Sequence, residues 1–213
     1  MAHIPVTPNT DPVHDQVWRH IVTQRQVPES FVNGFWYQVL RHYFPFPDFM
    51  ICPEARGEQA QGGARADLLV RQVRLRPNTA DVYDTRPILA FEGKRGPSAG
   101  QATTFGVLSH SDQLSTYISN CTQFEGLKYG ILASGSMFVM MGWQRAARSD
   151  DIRQVKWTEG RPQFGGSTVV HDVNDRNHLA QLDTILKHIH RLAMEVNGGD
   201  GATHGWSEAI WPR

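Results

Sequence analysis

Asp67, Glu92 and Lys94 are the residues of this chain whose types and spacing best suit chemistry. Asp67 lies inside the apolar run ARADLLV, and Glu92-Gly93-Lys94 closes a second run, PILAFEGKR. Side chains alternate faces along a strand, so Glu92 and Lys94 project from the same side. If Ala64–Val70 pairs with Pro87–Lys94 as a β-hairpin, Asp67 comes within a few Å of Glu92. Two carboxylates and an ammonium at one strand edge form a site for a hard divalent cation and the water it activates. The implied chemistry is phosphodiester hydrolysis.

Burial sharpens the reading. Asp67 is flanked by Ala66, Leu68, Leu69 and Val70, and an unpaired carboxylate in such surroundings is costly. It needs a partner: a metal ion, an arginine such as Arg65 or Arg71, or backbone amides. Glu92, after Ile88-Leu89-Ala90-Phe91, has the same need. A plain Lys94–Glu92 ion pair is the alternative to a catalytic lysine. Gln113 and Tyr117 stand four residues apart on a predicted helix and share one of its faces. Tyr117 is open to a second reading, as a half-buried aromatic.

The order Asp67, Glu92-x-Lys94, then Gln113-x-x-x-Tyr117 resembles the PD-(D/E)XK, or restriction-endonuclease-like, nuclease superfamily, in its QxxxY-containing branch. The resemblance covers residues 49 to 143. Ala66 stands where the family's name has proline. The resemblance implies a metal-dependent nuclease acting on DNA or RNA, with Asp67, Glu92 and the Gly93 carbonyl holding Mg²⁺ or Mn²⁺. It implies that Lys94 orients the attacking water or offsets transition-state charge, that Gln113 positions Lys94 or the waters, and that Tyr117 contacts a phosphate. It also directs attention to Glu29 and Glu54 as a further acid, and to His20 and His42 as metal-binding histidines. The alternative is a catalytically inactive module of the same fold that binds nucleic acid or protein. A serine hydrolase finds little support, because Ser134-Gly135-Ser136 lacks the G-x-S-x-G frame.

Composition sets bounds. A chain of 213 residues, 40% apolar and 20% charged, with six Trp and ten Phe, fits one soluble globular domain. No apolar stretch approaches the ~20 residues that cross a bilayer, so no membrane partner is expected. The first residues lack the basic start and apolar run of a secretory signal. With only Cys52 and Cys121, an intracellular setting, cytoplasm or nucleus, is expected. Those two cysteines lack the paired spacing of a zinc site. Net charge is zero, which argues against tight sequence-independent binding to nucleic acid. Arg56, Arg65, Arg71, Arg74, Arg76, Arg86, Lys94 and Arg95 nevertheless cluster around the acidic residues, as a basic rim or as solvated loop residues.

The elements that must position these residues follow from periodicity. Residues 1–27 read as a leader with a short helix over 13–22, and 28–213 as one domain. Pro28-Glu29-Ser30 starts a helix whose stripe is Phe31, Phe35, Val39 and Tyr43, stopped at Phe44-Pro45-Phe46-Pro47. Strands are predicted at Phe49–Glu54, Ala64–Arg74 and Arg86–Arg95, and a helix at Ser109–Thr122. Two strands follow around Gly135 within Lys128–Gln144, the first buried and central. The segment 152–173 reads as a peripheral β-excursion. Leu179, Leu182, Ile185, Leu186, Ile189 and Leu192 mark a last helix ended by Asn197-Gly198-Gly199. His188 and His190 near its end suit the helix dipole. The expected fold is α/β: a restriction-endonuclease-like core in α-β-β-β-α-β order, a mixed central β-sheet flanked by helices. Trp18, Trp36, Trp157, Trp206 and Trp211 read as exposed and leave room for a homodimer interface, or the C-terminal Trp206-to-Trp211 tail folds back onto the core.

Overall fold

The computed structural model describes residues 20–21, 26–56, 65–75, 83–96, 111–124, 126–144, 152–165 and 169–195. The predicted helix over 13–22 lies almost wholly outside them, as do Trp18, Trp206, Trp211 and the Asn197-Gly198-Gly199 stop. In chain order the elements are α1 (Glu29–Tyr43), β1 (Phe49–Arg56), β2 (Arg65–Leu75), β3 (Tyr83–Lys94), α2 (Ser111–Ile118), β4 (Leu127–Ser134), β5 (Met137–Gln144), β6 (Ile152–Thr158), β7 (Arg161–Phe164), β8 (His171–Asp172) and α3 (Arg176–Glu195). The strands form one mixed sheet in the order β1-β2-β3-β4-β5-β6-β7, with β8 pairing to β5 beside β6. Neighbours are antiparallel except β3 and β4, which run parallel from Leu89↔Tyr129 to Lys94↔Ser134. A parallel pair cannot be joined by a tight turn, and here α2 lies in the connection.

Helices cover both faces of the sheet. On one side α1 and α3 bury Trp36, Leu40, Ile185 and Ile189 against Leu68, Val70, Leu89, Phe91 and Ile131. On the other, Leu114, Tyr117 and Ile118 of α2 pack on Leu69, Ala90, Leu132 and Val139. This sandwiching explains why Ile88–Phe91 and Gly130–Ser134 read as unbroken apolar runs: both of their faces are buried. The coarse expectation of a mixed sheet flanked by helices therefore matches the architecture.

Several details differ from expectation. The buried side of α1 is Val32, Phe35, Trp36, Val39, Leu40 and Tyr43, whereas Phe31 is 45% exposed beside the His20 ring. Trp36, read as exposed, is fully buried between Phe91 and Phe138, with ring centroids 5.5 and 5.4 Å away. Hydrophobic spacing in α1 fits two overlapping stripes, and contact with β3 selects the one carrying the tryptophan. His188 and His190 are likewise buried: His188 packs on Trp157, and His190 on Phe44 and Phe49. They are core aromatics, not dipole-compensating surface groups. At its start α3 is capped by Asp175, whose Oδ1 accepts from the Asn177 and His178 amides.

Candidate metal centre at the end of strand β3

The antiparallel register that pairs Leu68 with Phe91 brings Asp67 level with Glu92. Gly93 N donates to Asp67 Oδ2 at 2.8 Å, so the first acid is fastened to the tripeptide holding the second. Lys94 Nζ stands 2.5 Å from Glu92 Oε1. That separation makes an ion pair, yet neither Glu92 oxygen has a hydrogen bond of normal directionality to a described residue. Glu92 is 0% exposed, Asp67 is half-buried, and the Lys94 side chain is 19% exposed. The three residues predicted from sequence do converge. Of the arginines considered for Asp67, Arg71 bonds Thr85 Oγ1 and the Thr85 carbonyl, and the Arg65 side chain lies outside the described atoms.

Desolvation governs the electrostatics. Burial pushes the Glu92 carboxyl up to about 7; Lys94 draws it back, while Asp67 and Glu29 add repulsion. Burial also raises Asp67, partly offset by the Gly93 amide, Lys94 and Asn33. For Lys94 the largest single influence is burial, which lowers its pKa, but contact with Glu92 and the charges of Glu92, Glu29 and Asp67 together outweigh it. The net shift is upward. The depressed lysine that a nearby cation favours is therefore not what the protein residues alone produce. The group is two desolvated acids with too little positive charge between them.

Gln113 and Tyr117 stand on α2 as expected, with Gln113 Nε2 donating to the Tyr117 hydroxyl at 3.3 Å. Tyr117 is buried at 2% exposure, and burial raises its phenol; Glu92 and Asp67 raise it further and Lys94 lowers it, so it senses all three charges. Gln113 is exposed.

The other candidates divide. Glu29, in the first turn of α1, is exposed, and its charge reaches Asp67, Glu92 and Lys94. The side chain of Glu54 lies outside the described atoms. His42 is set among Asp183 and Lys187 near α3, and the His20 ring lies tilted against Phe31. Of the expected basic rim, Arg76 and the side chains of Arg56, Arg65 and Arg74 lie outside the described residues. Arg86 donates to buried Gln72 and to the Ala193 carbonyl and lies over the Phe124 ring, which makes it a structural arginine. Asn33 was not anticipated: its side chain bonds Asp67 from α1. Its only signal in sequence is a position one turn after Glu29, a polar residue interrupting the apolar face of the helix.

A divalent cation fits the donor set. Both Glu92 oxygens are buried, Lys94 pairs with Oε1, and Asp67 adds a second desolvated carboxylate, so a further positive charge would offset the excess. Among the described residues no three His, Cys, Asp or Glu side chains converge as a ligand cage. Such an ion would take Asp67, Glu92, a backbone carbonyl and waters, the sparse oxygen set that Mg²⁺ tolerates.

No family model, no curated protein and no solved structure matches this chain. Among the described residues no helix is long and apolar enough to cross a membrane.

Proposed function

We propose that the protein is a divalent-metal-dependent nuclease hydrolysing phosphodiester bonds in DNA or RNA, built on a restriction-endonuclease-like core. The observation that carries the reading is the juxtaposition of fully buried Glu92 with Asp67 and Lys94 at one strand end. The α-β-β-β-α-β order of the elements supports it. Asp67, Glu92 and the Gly93 carbonyl would hold the Mg²⁺ or Mn²⁺. When bound, the ion supplies charge neutralisation and an acidified water. Lys94 orients the attacking water and balances charge on the five-coordinate phosphorus. Gln113 steadies the Tyr117 hydroxyl, which contacts a phosphate oxygen.

Complete burial of Glu92 favours a second reading, a nucleic-acid-binding or protein-interaction module of the same fold without turnover. One experiment separates them: incubation with single- and double-stranded DNA and RNA, with Mn²⁺ or with EDTA, for wild type and Lys94→Ala. Cleavage that needs Mn²⁺ and disappears in the variant is expected. Equal cleavage by both proteins, or none by wild type on any substrate, removes the nuclease reading.

A further inference from the structure

Asn33 lies on α1 one turn before Trp36, and Gly93 lies two residues beyond Phe91 on β3. The Trp36–Phe91 ring contact fixes how helix and strand cross, and Gly93 shares with Phe91 the face turned to α1. A second tie holds the same corner, the Gly96 amide donating to the Val27 carbonyl at 3.0 Å. A side chain at position 93 would find its space already taken: an ideal Cβ there falls 2.0 Å from Asn33 Oδ1 and 3.0 Å from the Phe91 ring. The Asn33 amide donates to Asp67, which also accepts from the Gly93 amide. Asn33 Oδ1 is buried and has no hydrogen-bond partner among the described residues.

We propose that Asn33 is a positioning residue for the Asp67 carboxylate and that the glycine of the Glu92-Gly93-Lys94 tripeptide serves to admit it. The inference rests on the nuclease reading for its consequence in catalysis, not for its geometry. Two donors, one from β3 and one from α1, fix both the rotation and the height of the Asp67 carboxylate. A carboxylate so held presents a defined lone pair to an ion; one held by a single amide is free to turn about that bond. Groups that orient metal-binding side chains in this way are typically worth about 10- to 100-fold in affinity or activity. Helix α1 is thereby a part of the centre, although it offers no ligand from position 33.

The test is a double-mutant cycle read by calorimetry with Mn²⁺ alone, followed by steady-state kinetics. Asn33→Leu keeps the side-chain bulk and removes the donor. Gly93→Ala keeps the donor and takes away its room. Each single variant is expected to weaken Mn²⁺ binding about tenfold and to lower kcat at unchanged KM for the nucleic acid; Tm should change little in Asn33→Leu and fall in Gly93→Ala, whose new Cβ also crowds the buried Phe91 ring. Asn33→Ala relieves the clash, so Asn33→Ala/Gly93→Ala should bind Mn²⁺ no worse than Asn33→Ala alone. Additive losses in that cycle, or a wild-type Mn²⁺ affinity in Asn33→Leu, overturn the proposal. If the wild type binds Mn²⁺ with this coupling yet cleaves nothing, the nuclease reading fails and the role of Asn33 stands.

Discussion

The amide of Gly93 donates a 2.8 Å hydrogen bond to Oδ2 of Asp67, joining the middle residue of the Glu92–Lys94 tripeptide to an acid 26 positions earlier. That bond stands at the corner where β2, β3 and α1 meet. It sets the distance between the two carboxylates through the backbone, so neither acid can move off without disturbing the hairpin. The consequence is electrostatic: two desolvated acids are held together with one ammonium, and the excess negative charge must appear as altered proton affinity.

Glu92→Gln is therefore expected to stabilise the metal-free protein at neutral pH. The folded-state pKa of Glu92 is raised from 4.5 to about 7. A raised value means that the stabilisation from a protonated Glu92 is complete below about 4.5 and disappears as pH climbs through about 7. The shift corresponds to a cost on the order of 3 kcal/mol above that window. In EDTA the wild-type Tm should fall between those limits, while Glu92→Gln shows a flatter profile and a higher Tm at pH 8. With saturating Mn²⁺ the proposed metal centre predicts the reverse order, because the substitution takes away one of its carboxylate ligands. A Glu92→Gln protein less stable than wild type at pH 8 in EDTA would contradict this account.

Lys94→Met removes the group that holds Glu92 down. Its carboxyl should then titrate above the wild-type midpoint of about 7. Because a buried acid without its cation neutralises by taking up a proton, the fold should lose little stability at pH 6. Carbonyl-stretch infrared or ¹³C NMR titration of Glu92 reads the midpoint directly. A midpoint that stays fixed or drops in Lys94→Met would show that the 2.5 Å ion pair does not exist in solution.

The acidic centre was legible in sequence because strand periodicity and the cost of buried charge act over a few residues. Asp67 and Glu92 stood out as acids inside apolar runs, and period two put Glu92 and Lys94 on one side. The strand pair β4 and β5 was legible for the same reason, with Gly135 at the turn and φ 58° there. What stayed hidden depends on contacts between distant elements. Trp36 resembled a surface tryptophan until β3 supplied Phe91 beneath it. His190 packs beside the Phe44 and Phe49 rings, a surrounding no local pattern announces. Asn33 carried no recognisable signature either, since its partners are more than 30 positions away in β2 and β3.

Arg86 belongs to the fold and not to a binding rim, and its removal should show that. Gln72 is fully buried, donating to the Ala193 carbonyl at 2.7 Å and accepting from Arg86 Nε at 2.7 Å. Arg86→Ala leaves Gln72 Oε1 without that donor and weakens the tie between β2 and the end of α3, at a cost of about 1–3 kcal/mol. Urea unfolding should register the loss. Electrophoretic mobility shift should find nucleic-acid affinity, and its salt dependence, unchanged. A stable Arg86→Ala variant with weakened, less salt-sensitive binding would return this arginine to the rim.

Tyr117→Phe tests whether the far side of the centre touches substrate. Tyr117 is buried, its hydroxyl accepts from Gln113 Nε2 at 3.3 Å, and it is close enough to feel Asp67, Glu92 and Lys94. Its pKa is raised, first by burial and then by the two acids, so it remains a neutral O–H donor throughout the working pH range. A neutral donor beside an ammonium and the proposed ion is suited to a phosphate oxygen, which makes the hydroxyl worth one hydrogen bond to a charged group. Its loss should raise KM roughly tenfold and leave kcat near wild type, because the phosphate is held equally before and during reaction. Leu114 and Ile118 keep α2 packed, so Tm should barely move. Steady-state kinetics on a short oligonucleotide decides it. An unchanged KM with a depressed kcat would move the hydroxyl out of binding and into the chemical step, and an unchanged pair of constants would reduce Tyr117 to a packing residue.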